Sequence, residues 1–327
     1  MADSNMQLQW TDEQWNKIRQ VVYEEARRAR VAGNVLPLYG PLEPDARYVS
    51  KEELRDPNDD VPGFSVTDTD TLKLSTLQVR VYLRGAQVAD PELTSALVAF
   101  RRAANVLARL EDEIIFNGQE DAKEEPASTT RRSPRTGQKL AGEILGGEKS
   151  KGLFAAAGET TYVPKKRDPD SAALGEALVT GVSDAIGKLE AQHHLGPFAC
   201  VLDQKYFKAV QTPNNSLVLP QDRILPFLGG GALLRTSALD EDRGLVIALG
   251  GAPIDLVVAT DISVSFLQVT RDPWFVFRVY EKIVLRIKEP EAIVRLQSTN
   301  RRVVDKPPDL ERRKSPQPET HSVLNAY

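Results

Sequence analysis

Residues 274–288 constrain this chain more than any others. Phe275, Phe277, Val279, Ile283, Leu285 and Ile287 fall on one face, and Arg278, Lys282, Arg286 and Lys288 on the other, the period-two alternation of a strand with one buried face. At ~3.3 Å per residue this strand is about 45 Å long, where five or six residues are usual. An ordinary compact domain seldom needs such a strand. Glu281 interrupts the apolar face, which marks either a bulge or a buried, paired acid. Apolar runs at 245–249, 254–259 and 264–269 precede it, so the chain beyond Gly244 reads as mostly strand.

The opening residues carry helix-start chemistry. Thr11 can cap, Gln14 can close a capping box, and Trp10 can staple onto Trp15. Trp15, Ile18, Val22 and Ala26 then recur at helical spacing until Gly33-Asn34 ends the run. Two prolines and a glycine make 35–42 extended or looped despite its apolar side chains, and the polar stretch 43–63 reads as loop. In 66–90, Leu72 and Leu74, then Leu77, Val79, Val81 and Leu83, alternate with a phase change, as in a bulged strand. This segment is expected to be a long hairpin arm. With few large apolar residues it cannot form its own core, so neighbouring subunits should order it, through Val79, Val81 and Leu83.

From Pro91 onward Leu93, Leu97, Phe100, Ala104, Leu107, Glu111 and Ile114 are spaced alternately by four and three. They predict a helix of roughly 25 residues and about 37 Å, a structural spine. Asn117-Gly118 ends it. Residues 119–150 are polar, with almost no large apolar side chain before Leu140, and are expected to be an inserted mobile loop. A second helix over 171–192, a strand over 198–202 and helical turns over 204–210 follow. The proline-rich, charged tail 298–327 is expected to be disordered.

Charge and composition then remove whole classes of function. Lys plus Arg is 42 against 46 for Asp plus Glu, a net charge of -4, so no global basic field is present to hold nucleic acid. Cys200 is the only cysteine and there are three histidines, which excludes an intrachain disulfide and cysteine-rich or multi-histidine metal sites. No signal peptide is recognisable and no apolar run nears the ~18 residues of a membrane span. A cytoplasmic chain with neither nucleic acid nor membrane as partner is expected. Glu111, Asp112 and Glu113 point in different directions on a helix and have no histidine in reach, so a solvated or subunit-contact face is expected of them. Gly229-Gly230-Gly231 lacks phosphate-loop spacing. His193-His194 at a helix end suits the dipole better than catalysis. Cys200 reads as an inert core thiol. The chain is expected not to be an enzyme, and no catalytic, metal or cofactor residue is assigned.

Five segments stand in a particular order. They are Tyr39-Gly40-Pro41-Leu42; Leu110-Glu111-Asp112-Glu113-Ile114-Ile115-Phe116-Asn117-Gly118; Lys151-Gly152-Leu153; Gly196-Pro197-Phe198-Ala199-Cys200-Val201-Leu202; and Arg278-Val279-Tyr280-Glu281 through Leu285-Arg286-Ile287-Lys288-Glu289-Pro290-Glu291-Ala292-Ile293. In these the chain resembles the encapsulins, the linocin/bacteriocin-like shell proteins of nanocompartments, over about residues 12–296. The order of parts resembles the α+β phage capsid fold of the Hong Kong 97 type: N-terminal helix, long hairpin arm, spine helix, α/β axial domain and long C-terminal strands. The resemblance divides the chain into a peripheral domain (1–65, the spine 91–118 and strands in 259–297), the arm 66–90, the insert 119–150, a mainly axial domain 151–258 and the tail 298–327.

That resemblance implies a non-catalytic protomer that self-assembles into an icosahedral shell. It also implies a cargo enzyme, ferritin-like or a dye-decolourising peroxidase, held through a C-terminal targeting peptide. The implied cargo groove comprises Leu36, Leu38, Tyr39, Asp261, Ile262, Val264 and Phe266, and the implied fivefold pore loop Thr212, Pro213, Asn214, Asn215 and Ser216. Some members stack a flavin on a tryptophan of the arm; the arm read here has none, so no cofactor is carried over. The second reading is the major capsid protein of a tailed phage or prophage. Against it stand the net charge, the lack of a scaffolding-length N-terminal segment, and the match at the spine's end. A third, a secreted bacteriocin or protease, lacks a signal and a catalytic triad.

Overall fold

The computed structural model describes residues 8–55, 57, 62–119, 142–164, 171–213 and 218–298. Helix α1 (Asp12–Ala29) starts on the predicted capping box: the Gln14 amide donates to Thr11 Oγ1 at 3.2 Å, and the Thr11 amide to Gln14 Oε1 at 3.0 Å. Trp10 meets Trp15 edge-on at 5.2 Å between ring centroids and stacks on Phe277 at 4.7 Å, tying the helix start to the strand that carries Phe277. Thr11→Ala should lower stability by about 1 kcal/mol in urea unfolding; an unchanged midpoint would mean that Trp10 alone fixes the start.

The helical run does not continue to Gly33-Asn34. Arg30 is extended, and a separate turn, α2 (Ala32–Val35), begins after it. The cause is Asp112, whose carboxylate accepts from the Val31 amide at 2.9 Å and the Ala32 amide at 2.8 Å, satisfying donors that a new helix start leaves open.

After β1 (Leu38–Tyr39), the stretch expected to be loop forms a ribbon. Strand β2 (Tyr48–Ser50) pairs with β5 (Thr71–Lys73), and β3 (Glu53–Arg55) with β4 (Ser65–Thr67). A two-stranded ribbon thus spans 48–73, and of the segment 66–90 only its first residues belong to it. Strand β6 (Ser75–Arg84) is an inner strand, and Val79, Val81 and Leu83 are at most 5 % exposed within the chain's own core. They are not free for a neighbour. The phase change before Leu77 is the hand-over from ribbon to sheet.

A short turn, α3 (Gly85–Val88), leads to the spine α4 (Thr94–Asn117). It starts three residues later than Pro91 suggested because the Asp90 carboxylate accepts from the Glu92 and Thr94 amides at 3.0 and 2.8 Å, holding Pro91 in the preceding turn. It stops at Gly118, whose φ of 88° and close approach to the Ser150 carbonyl leave no room for a Cβ. The expected loop 119–150 is partly strand: β7 (Gly118–Gln119) pairs with β9 (Ser150–Lys151), and β8 (Gly142–Gly146) lies on β6. Residues 120–141 of the insert, and the tail from 299, lie outside the described residues.

Beyond these come α5 (Leu153–Ala156), β10 (Glu159–Val163), α6 (Ser171–Ala191), β11 (Phe198–Leu202), α7 (Gln204–Val210) and α8 (Pro220–Ile224). Strands β12 (Leu233–Arg235), β13 (Arg243–Ala248), β14 (Ile254–Val269), β15 (Trp274–Ile287) and β16 (Ile293–Ser298) follow. One sheet has the order β1-β14-β15-β6-β8, the other β10-β16-β13-β11-β12. The long strand is β15, paired along its length by β14 and β6. The two runs expected at 254–259 and 264–269 are one strand, β14, joined through register shifts between Val258 and Ser263. Residues 254–258 and 259–269 lie on this one strand, and β16 sits in the second sheet between β10 and β13. Cys200 is fully buried, and burial pushes its thiol up to about 12.

Candidate functional site

The α1–α2 corner, β1 and the middle of β14 meet at one edge of the first sheet. The edge strand β1 runs parallel to β14, with Leu38 beside Leu256 and Tyr39 beside Val257. Hydrogen bonds from the Leu256 amide to the Pro37 carbonyl and from the Leu42 amide to the Val258 carbonyl, both 2.9 Å, pin the segment. The proposed groove residues are therefore neighbours, but they do not share a surface. Leu38 is 54 % exposed, Tyr39 45 %, and Asp261 is exposed. Leu36, Ile262 and Val264 belong to the core cluster that also holds Ile18, Val22 and Phe100, and Phe266 packs half-buried against Phe277. Alternation along β14 turns Ile262, Val264 and Phe266 inward, so within the single chain they pack against the core, as Leu36 does from the end of α2.

The acids at the spine's end are not solvated either. Glu111, Asp112, Glu113 and, from β15, Glu281 are all at most 9 % exposed. Residues 110–116 of the spine are all buried, which leaves these acids no face to water. Opposite Glu281 the register of β14 shifts between Thr260 and Ser263, so the break in alternation is a buried acid facing a bulge in the partner strand. Burial and, next, the Asp112 charge push Glu111 up to about 8. Burial, then the Glu111 charge, push Glu281 well above the usual range. Burial raises Asp112 to about 7 against the pull of the Ala32 and Val31 amides. Arg30, beside this cluster, ion-pairs with Asp261 at 3.4 Å.

The ribbon is fastened by a residue that alternation alone leaves on the polar face. Arg286 is 1 % exposed. Its Nε and Nη2 donate to the two Asp255 oxygens at 2.9 and 2.8 Å, and its Nη1 meets Glu52 at 2.9 Å and the Ser50 carbonyl at 3.4 Å. The guanidinium lies 4.4 Å from the Tyr39 ring centroid. The Asp255 hydrogen bonds raise its pKa further. A signal existed in the sequence: Asp255 is a lone acid in an apolar run, and a buried carboxylate needs a cationic partner. Along the ribbon Tyr48, Leu54, Phe64 and Val66 remain exposed in the single chain. Of the expected pore loop, Thr212 and Pro213 follow α7, with Thr212 Oγ1 donating to the Lys208 carbonyl; Asn214, Asn215 and Ser216 lie outside the described residues.

The family profile Linocin_M18, described as encapsulating protein for peroxidase, matches residues 5–134 and 146–284. The chain belongs to the encapsulin family. It is 27 % identical over 300 residues to the type 1 encapsulin shell protein EncA of Myxococcus xanthus, covering 88 % of this chain and 93 % of that one. It is 24 % identical over 310 residues to a diheme-cytochrome-encapsulin shell fusion protein of Kuenenia stuttgartiensis, covering 90 % and 76 %. In fold this encapsulin resembles the virus-like particle from Pyrococcus furiosus, with a TM-score of 0.59 at 17 % identity over 88 % of this chain and 100 % of that one. The capsid of Myoviridae phage XM1 gives 0.53 at 15 % identity over 82 % and 90 %. The fold is thus the Hong Kong 97-type capsid fold, and the family match is more specific than the likeness to phage capsids. No helix among the described residues is long and apolar enough to cross a membrane.

Proposed function

We propose that this encapsulin is the structural protomer of a closed icosahedral shell in the cytoplasm. It would hold a cargo enzyme by a peptide docked at the α1–β1–β14 corner. The observation that carries the docking site is a two-residue edge strand with Leu38 and Tyr39 exposed beside Asp261. An extended tail of small and aliphatic residues would add main-chain hydrogen bonds to that edge and cover Leu38. Assembly is supported by the ribbon: it exposes Phe64 and Val66, and a two-stranded hairpin is marginal without a partner. The chemistry then belongs to the cargo. The family description favours a peroxidase over a ferritin-like protein, and Thr212 and Pro213, after α7, would border the fivefold pore.

The test is co-expression with a fluorescent protein carrying the C-terminal tail of the host's dye-decolourising peroxidase or ferritin-like protein. Leu38→Asp changes an exposed side chain, so shells should form normally. Retention should fall on the order of tenfold or more, as for a lost apolar anchor. Wild-type loading of that variant would move the groove elsewhere.

A further inference from the structure

Under the proposed groove lies a set of carboxyls that the shell function does not call for. Glu111 is 0 % exposed and Glu281 1 %. Glu281 Oε1 has no hydrogen-bond partner, and Glu111 has only the Gly33 amide beside it. Every element packed around them contributes a charge or nothing: α4 supplies Asp112, with Arg109 beyond it; β14 supplies Asp261; the end of α1 supplies Arg30. Arg30 also pairs outward with Asp261, and its Nε is buried without a partner. One interior guanidinium, itself paired outward with the exposed Asp261, cannot neutralise the three buried acids Glu111, Asp112 and Glu281. The fold is therefore built for a protonated carboxyl here.

The cluster also touches the corner that presents the groove. A Cβ on Gly33 of α2 would lie 2.6 Å from Glu111 Oε1 and 2.9 Å from Arg30 Cδ, so the backbone of α2 sits directly on the acid. Asp112, the next residue, holds the Val31 and Ala32 amides. Three residues beyond Gly33, Leu36 leads into β1.

We propose that the Glu111–Glu281 pair is a protonation-linked latch: carrying its proton it seats the α1–α2 corner on the spine, and on giving it up to solvent base it loosens that corner and the β1 edge. The cargo consequence rests on the groove reading above; the loosening of the corner does not. The sign follows from burial. Glu111 goes from an ordinary 4.5 to about 8 in the folded chain, so the closed corner binds more protons than the opened one between those values. Its stability is full at the acid end of that interval and lost as pH rises to the alkaline end, then level.

The experiment is hydrogen–deuterium exchange of cargo-free assembled shells, read on peptides covering 30–39 and corrected for the base-catalysed exchange rate. Between about pH 5.5 and 8.5 the wild-type corner should lose protection by about tenfold per pH unit for each proton released, with Asp112 and Glu281 adding to Glu111. Peptides from α6 should stay unchanged. Glu111→Gln, and independently Glu281→Gln, should each make the profile shallower. A wild-type corner equally protected at both ends overturns the latch whatever the variants do, as does an undiminished pH dependence in either folded variant. Corner loosening with the fluorescent cargo still held would overturn the groove and leave the latch standing. Cargo loss in the Leu38→Asp shells with a pH-independent corner would do the reverse.

Discussion

Replacing residues 53–67 with a short Gly-Ser turn should yield a folded chain that forms no closed shells. The core cluster of the described residues has no member between Leu36 and Leu77, so trimming the ribbon's outer half removes little buried apolar surface from the chain itself. What it removes is Leu54, Phe64 and Val66, which are 40 %, 73 % and 62 % exposed in the single chain. A ribbon this exposed gains its order from a neighbouring copy. Sedimentation velocity and negative-stain microscopy should show monomers or small oligomers, with cooperative unfolding retained. Shells of normal diameter would deny the ribbon its role, and loss of cooperative unfolding would make it part of the protomer's own fold.

The ribbon was the part of the fold least legible in the sequence, for a physical reason. Alternation reports burial, and a two-stranded ribbon whose faces wait for another copy has none to report. Tyr48 and Leu54 therefore read as scattered residues in a polar loop. Strand β6 shows the converse. Its alternation is strong because both sheet neighbours and the spine come from the same chain, but period two says nothing about who the partner is. Where chemistry is local, the reading matched the structure: the Thr11–Gln14 box starts α1, Asn117-Gly118 ends the spine, and β15 occupies all but the last residue of 274–288.

The site was legible in outline only. The segments around Leu38 and Asp261 do meet, yet which side chains face outward depends on the pleat of β14 and its bulge, which no pattern in 254–269 discloses. The acids at the spine's end misled because three consecutive carboxylates on a helix normally face water. The counter-signal was Glu281, an acid on the apolar face of a strand, and it lies in the same buried cluster as Glu111. The electrostatic surroundings of Glu281 name Glu111, Arg30, Asp261 and Asp112 together.

Arg286→Met should be the most damaging single change outside the apolar core. It leaves the Asp255 carboxylate, 3 % exposed, without its bidentate partner, and breaking a buried pair from one side typically costs about 3 to 5 kcal/mol. Lys288, whose Nζ lies 3.0 Å from Asp255, retains some compensation, which places the loss near the lower end. Shell disassembly would obscure this measurement, so urea unfolding is best read on the ribbon-trimmed chain, which keeps Ser50 and Glu52. Adding Asp255→Leu should restore most of the stability, because two apolar side chains can replace a buried ion pair at little cost. It should not restore assembly in the full-length chain. Glu52 and the Ser50 carbonyl would still lack the guanidinium that fixes the ribbon against the sheet, and Tyr39 the cation beneath its ring. A loss below about 1 kcal/mol in the single variant would show that Asp255 is relieved by Lys288 and solvent. Normal shells from the double variant would assign the ribbon's direction to the β2–β5 ladder and the Leu54 amide, which donates to the Lys288 carbonyl at 3.3 Å.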